Sequence, residues 1–170
     1  MGTVFSGLTK EDMKTVKKTG CRLPSEQIEI LYKRFKELDK EEIGRVYMDQ
    51  LLCIPEISIN PLGERVVRKI CGKDGKIDFK GFVLAITVFS KYSTNEEKVN
   101  FFFELIATDG TITKESLQDI AKDLYAGDED MEGVNLGIDE VFRVYDREHK
   151  NFIECKDLKK MDCNALGNIF

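Results

Sequence analysis

Apolar positions along the chain recur at helical spacing. Ile28, Leu31, Phe35 and Leu38 follow one another at intervals of 3, 4 and 3, which lines them along one helix face. Phe79, Phe82, Val83, Ile86 and Phe89 do the same. Between such segments the pattern breaks four times into one short motif: Gly44-Arg45-Val46-Tyr47, Gly75-Lys76-Ile77-Asp78, Gly110-Thr111-Ile112-Thr113 and Asn151-Phe152-Ile153-Glu154. The β-branched anchors Val46, Ile77, Ile112 and Ile153 are 31, 35 and 41 residues apart. Two residues before each stands Gly44, Gly75, Gly110 or Asn151, the residue types that accept a positive φ. Five residues after the anchors stand Leu51, Phe82, Leu117 and Leu158; eleven before them stand Phe35, Val66, Phe101 and Phe142. The repeat predicts four copies of one unit: an amphipathic helix, a tight left-handed turn, an extended residue and a second amphipathic helix.

Local signals place the boundaries. Ser25 after Pro24 offers an N-cap to the first of these helices, and Thr113 with Ser116 brackets the start of another. Pro55 and Pro61 separate the first two units. The polar stretch from Lys91 to Lys98 reads as the boundary between two lobes, and the acidic stretch from Gly127 to Gly133 as a solvated connector. The predicted organisation is an N-terminal segment with a helix over 1–24, an N-terminal lobe over 25–92 and a C-terminal lobe over 93–170.

Composition narrows the function classes. The 170 residues include 26 basic and 31 acidic side chains, a net charge of −5 that argues against nucleic acid as a partner. With 42% hydrophobic and 34% charged residues the chain is an ordinary globular one rather than disordered. No apolar run approaches the roughly 20 residues that span a bilayer, and no secretory signal is evident, so a cytoplasmic location is expected. Five cysteines without a C-x-x-C pair suit reduced thiols rather than disulfides or zinc. His149 is the sole histidine, and no nucleophile-elbow, phosphate-loop or zincin motif occurs; the chain reads as no enzyme.

Helix, 12-residue loop with Gly at position six and a β-branched residue at position eight, then helix, is the EF-hand geometry. The expected fold is therefore all-α, with four EF-hand units paired into two lobes. Val46 with Ile77, and Ile112 with Ile153, would join the loops through short two-stranded ribbons. Calcium needs oxygens at loop positions one, three, five and nine, a carbonyl at seven and a bidentate acid at twelve. Loop one has Ile43 at five and Gln50 at twelve. Counted back from the anchors, loop two opens on Ile70 and loop three on Leu105, and neither carries the acid at twelve. Only the fourth loop keeps metal candidates: Asp146, Glu148, Glu154 and Asp157 at positions one, three, nine and twelve. Lys150 stands at five, and is expected to act as a built-in counter-ion holding this loop free of metal. No cofactor is expected, with calcium conceivable in the fourth loop alone.

The chain resembles calcineurin B and the calcineurin B homologous proteins. The likeness is carried by the segment from Ile54 to Val67 with Asn60-Pro61-Leu62 at its centre, by Ile30 through Asp39, and by Ile77-Asp78-Phe79-Lys80-Gly81-Phe82. Loops two and three are one and two residues shorter than in that family. The resemblance implies a regulatory subunit whose lobes cradle an amphipathic helix of a calcineurin A-like Ser/Thr phosphatase, here largely without calcium. Alternatives are an accessory subunit on a juxtamembrane helix of an ion exchanger, or a calcium sensor, which the loops argue against. Groove candidates are Phe82, Val83, Ile86, Phe102, Phe103, Leu117, Ile120 and Leu124, about half of which read better as lobe core. Met1-Gly2-Thr3-Val4-Phe5-Ser6 fits the N-myristoylation pattern, which the resemblance supports. Gly2 would then carry the lipid for peripheral membrane contact, with Lys10, Lys14, Lys17 and Lys18 as a second signal.

Overall fold

A computed structural model describes residues 7–125 and 131–160. Gly2 with its acylation motif, Cys163 and positions 127–130 of the acidic connector lie outside the described residues. The fold is all-α: α1 (Lys10–Lys18), α2 (Ser25–Leu38), α3 (Met48–Leu52), α4 (Pro55–Ser58), α5 (Gly63–Cys71), α6 (Phe79–Val88), α7 (Asn95–Ile106), α8 (Lys114–Tyr125) and α9 (Met131–Tyr145). The strands β1 (Arg45–Tyr47) and β2 (Lys76–Asp78) form one short antiparallel ribbon. Contacts divide the chain into two units, Met1–Ile54 with Val67–Ser93, and Pro55–Val66 with Thr94–Phe170.

Polar residues at helix starts explain several boundaries. In α1 the Thr9 hydroxyl accepts from the Asp12 N–H at 3.1 Å while the Asp12 carboxylate accepts from the Thr9 N–H at 3.1 Å, a reciprocal cap. Thr94 and Glu97 do the same for α7, so the polar stretch expected to be a linker already contains the first turn of a helix. Thr113 and Ser116 bracket α8 as the sequence predicts. Ser25 does not cap α2. Pro24 holds the cap position with an extended ψ of 149° and its carbonyl accepts from Gln27 and Ile28, which moves Ser25 inside the helix. The acidic connector is likewise shorter than expected, because Met131, Glu132 and Gly133 open α9.

In the first unit α2 packs on α6, and α1 also lies against α6. Phe35 meets Phe79 and Phe82 at ring separations of 5.5 and 5.6 Å, while Val16, Cys21, Leu23, Ile28 and Val83 form a second buried cluster. Each large apolar side chain so buried contributes about 1.5–3 kcal/mol. Ribbon pairing sets Val46 opposite Ile77, both buried. In the second unit α8 packs on α9, and Val99, Phe103, Ile112, Ile138, Phe142, Ile153 and Leu158 make the core. Here the ribbon shrinks to a single bridge, in which Ile112 and Ile153 exchange two N–H to C=O bonds of 2.9 Å. Two-loop pairing through the four anchors is as the repeat predicts.

The outgoing helix of the fourth unit is, over its described residues, a 3-10 helix, Cys155–Lys160, and not the α-helix the repeat suggests. The Asn60-Pro61-Leu62 segment turns tightly: the Asn60 carboxamide oxygen accepts from the Leu62 N–H at 2.9 Å, and Leu62 is buried. Gly63 follows because a Cβ there would stand 2.1 Å from the Ile57 carbonyl oxygen. No helix among the described residues is long and apolar enough to cross a membrane, and Cys21, Cys53, Cys71 and Cys155 are free thiols.

Candidate functional site

The four loops carry the site chemistry of this fold, and they fall into two kinds. Loops one and four keep 12 residues, Asp39 to Gln50 and Asp146 to Asp157. Both open on an aspartate that follows a buried phenylalanine by four residues, and the N–H groups of Asp39 and Asp146 bond to the Phe35 and Phe142 carbonyls at 2.9 and 2.8 Å. Asp39 is 2% exposed and Asp146 5%. Each turns its carboxylate inward onto the loop backbone. Asp39 accepts from the N–H groups of Ile43 and Gly44 at 3.0 and 2.8 Å, and Asp146 from those of Lys150 and Asn151 at 2.8 and 2.7 Å. The left-handed residues Gly44 (φ 73°) and Asn151 (φ 65°) aim those amides at the acid.

Position twelve closes the long loops. In loop one the Gln50 oxygen accepts from the Tyr47 N–H at 2.8 Å, and its NH₂ group donates to the Leu38 carbonyl at 2.9 Å, so one neutral amide ties the end of α2 to the start of α3. Sequence reasoning noticed only that Gln50 is no bidentate acid. In loop four Asp157 accepts from the Glu154 N–H at 2.9 Å, and the Lys150 ammonium fills the space between the acids. Its Nζ lies 2.8 Å from Glu154, 3.1 Å from Asp157 and 3.7 Å from Glu148, with the side chain 17% exposed. The Phe152 ring lies beneath it at 5.0 Å. Hydrogen bonding to Glu154 raises the Lys150 pKa. The hydrogen bonds from Lys150 and from Lys156 hold the Glu154 carboxyl below its ordinary range, and the Glu154 N–H together with Lys150 does so for Asp157.

Loops two and three are collapsed turns. Loop two opens on Cys71, four residues after buried Val67, and loop three on Ala107, four after buried Phe103. Ile70 and Leu105, expected at these places, are therefore displaced by one and two residues. The cause is the shortening itself, since loops of 11 and 10 residues pull the inward-facing helix position from Val66 to Val67 and from Phe101 to Phe103. Burial pushes the Cys71 thiol up, which suits a packing group. Loop two makes a 3-10 turn, Gly72–Asp74, then left-handed Gly75. Loop three is a two-residue hairpin: Thr108 and Thr111 exchange bonds of 2.9 and 3.1 Å around Asp109 (φ 51°) and Gly110 (φ 78°). Asp-Gly with both residues left-handed is the preferred composition of a type I′ turn, a signal that sequence reasoning passed over.

A calcium cage does not fit these residues. Loop one presents Ile43 at five and a neutral amide already committed to the backbone, loops two and three lack the cage, and loop four surrounds an ammonium. Among the described residues no group of three or more His, Cys, Asp or Glu is placed to hold a metal ion. The groove candidates are divided between the units. Phe82, Val83 and Ile86 lie on α6; Phe82 and Val83 are buried and Ile86 half-buried. On α7 and α8, Phe103 and Ile120 are buried, Phe102 and Leu117 half-buried against the second core, and Leu124 is 39% exposed. Leu136 and Tyr125, which sequence reasoning did not single out, are exposed on α9 and α8.

Helix–loop–helix units closed in pairs through their loops define an EF-hand protein. No family model matches the chain. The calcineurin B protein of Naegleria gruberi is 38% identical over 111 residues, 65% of this chain, which spans 62% of that relative. The type 1 calcineurin B protein of Dictyostelium discoideum is 35% identical over 72% of this chain and 69% of its own length; type 2 is 28% identical over 97% and 93%. The chain belongs to the calcineurin B family, whose members are regulatory subunits and not enzymes. A chain of a solved PP2A PR70 holoenzyme shares the fold, with a TM-score of 0.62 at 16% identity over 89% of this chain and 58% of that one.

Proposed function

We propose that this chain is a calcineurin B-like regulatory subunit that binds an amphipathic helix of a Ser/Thr phosphatase catalytic subunit, and that it does so largely without calcium. Its kinship with calcineurin B carries the reading. The inward-turned Asp39 and Asp146, the Gln50 bridge and the Lys150 ammonium support the calcium-free part, because both full-length loops are already closed by the chain's own groups. In this reading the lobes are 25–92 and 93–170, the partner helix rests on apolar residues from the set Phe82 to Leu124, and an acyl chain on Gly2 adds reversible membrane contact.

The test is whether the purified protein retains a calcineurin A-type catalytic chain in excess chelator and in millimolar calcium. Equal retention, within about twofold, is expected. Loss of binding in chelator contradicts calcium independence, and no binding in either condition contradicts the phosphatase assignment. In that last case recovery of a multi-span exchanger from native membranes identifies the alternative partner.

A further inference from the structure

We infer that Lys150 is the resident cation of the fourth loop, and that its ammonium is what keeps a divalent ion out. This residue reaches all four acids of the loop. Its backbone N–H serves Asp146 at position one, and its ammonium serves Glu154 at nine and Asp157 at twelve while lying 3.7 Å from Glu148 at three. A divalent ion in this loop would compete with that ammonium for Glu154 and Asp157. To bind, it must break two charge-assisted hydrogen bonds and drive a like charge into solvent.

Comparison within the molecule isolates the effect. Asp39 in loop one accepts the same two backbone amides as Asp146. There, however, the closing group is a neutral amide, and position five is Ile43, which supplies no oxygen. Removing a cation cannot create a site in loop one. In loop four the backbone bend is kept and the sequence supplies acids at positions one, three, nine and twelve, but Lys150 stands at five among them, and Lys156 also reaches Glu154 at 2.8 Å. The inference rests on the calcium-free reading of the loops and fails separately from it.

The experiment is calcium titration calorimetry with thermal unfolding on the full chain, unaltered, as Lys150→Asp and as Lys150→Met. The unaltered protein is expected to give no binding below about 1 mM calcium. Lys150→Asp should take up one calcium ion with a Kd of about 100 μM or tighter, at least a tenfold gain, within the span that such loops cover. Lys150→Met, which removes the charge without adding an acid, should unfold at a lower temperature in chelator and recover on adding calcium. A Lys150→Asp protein that unfolds cooperatively yet binds no calcium overturns the inference and leaves the calcium-free reading standing. If Lys150→Asp does not fold, Lys150→Met decides: unchanged unfolding, or destabilisation that calcium does not restore, overturns it. Calcium binding to the unaltered protein tighter than about 10 μM overturns the calcium-free reading itself.

Discussion

Each pair of loops joins one that kept its length to one that lost it. Loop one, 12 residues, is held to loop two, 11; loop four, 12, is bridged to loop three, 10. The long loops retain the acid at position one and turn it onto their own backbone, and a side chain closes each of them, Gln50 in one case and Lys150 in the other. The short loops abandon the cage and make a turn from backbone preferences alone. Two routes thus lead to the same outcome, a left-handed residue followed by a buried anchor. Closure of a long loop depends on particular side chains, whereas closure of a short loop depends on conformational freedom at a glycine.

That difference predicts where each loop is vulnerable. The largest effect belongs to Asp39→Ala, which removes the acceptor of the Ile43 and Gly44 amides in loop one; a loss of about 1–3 kcal/mol is expected in urea unfolding. A loss below about 0.5 kcal/mol would mean that the aspartate is not what closes the loop. Gly110→Ala in loop three should cost about 1 kcal/mol in the same assay. Nothing stands within 4 Å of the added Cβ, so the cost arises from φ of 78° alone. The smallest effect at neutral pH, and the most informative in shape, is that of Lys150→Met. In the folded protein Glu154 and Asp157 titrate below their ordinary range and Lys150 above its own. The stability gap between parent and variant should therefore be complete between about pH 5 and about pH 10. It closes as pH falls through the lowered carboxyl values, and again as pH rises through the raised lysine value. Unfolding temperature followed against pH checks this; a gap that does not change with pH would contradict the role of the Lys150 charge.

The repeat was readable because its anchors are set by the same geometry in every unit. Val46, Ile77, Ile112 and Ile153 are all buried, and all four residues two places earlier have positive φ. The family likeness was readable too, and the Asn60 turn with the close approach at Gly63 gives a physical reason for its most distinctive segment. What could not be read was how the shortened loops shift the helices that feed them. The repeat counted back to Val66 and Phe101, while the side chains that face inward are Val67 and Phe103. Periodicity measured from the anchor cannot detect a residue lost between the helix and the anchor. Gln50 was opaque for another reason: its value comes from bonding two backbone groups, Tyr47 and Leu38, on either side of a closed loop, and that closeness exists only in the fold. Lys150 was legible because a cation at position five stands among acids at positions one, three, nine and twelve of the same loop.

Amide hydrogen exchange of the unaltered protein at Ile112 and Ile153, in excess chelator and in millimolar calcium, tests the central claim most directly. These two amides form the bridge between loops three and four, so they report whether the C-terminal pair stays closed. Closure by the chain's own groups predicts the same protection in both conditions, within about twofold. Protection that disappears in chelator and returns with calcium would show that a metal, and not Lys150, holds the fourth loop shut.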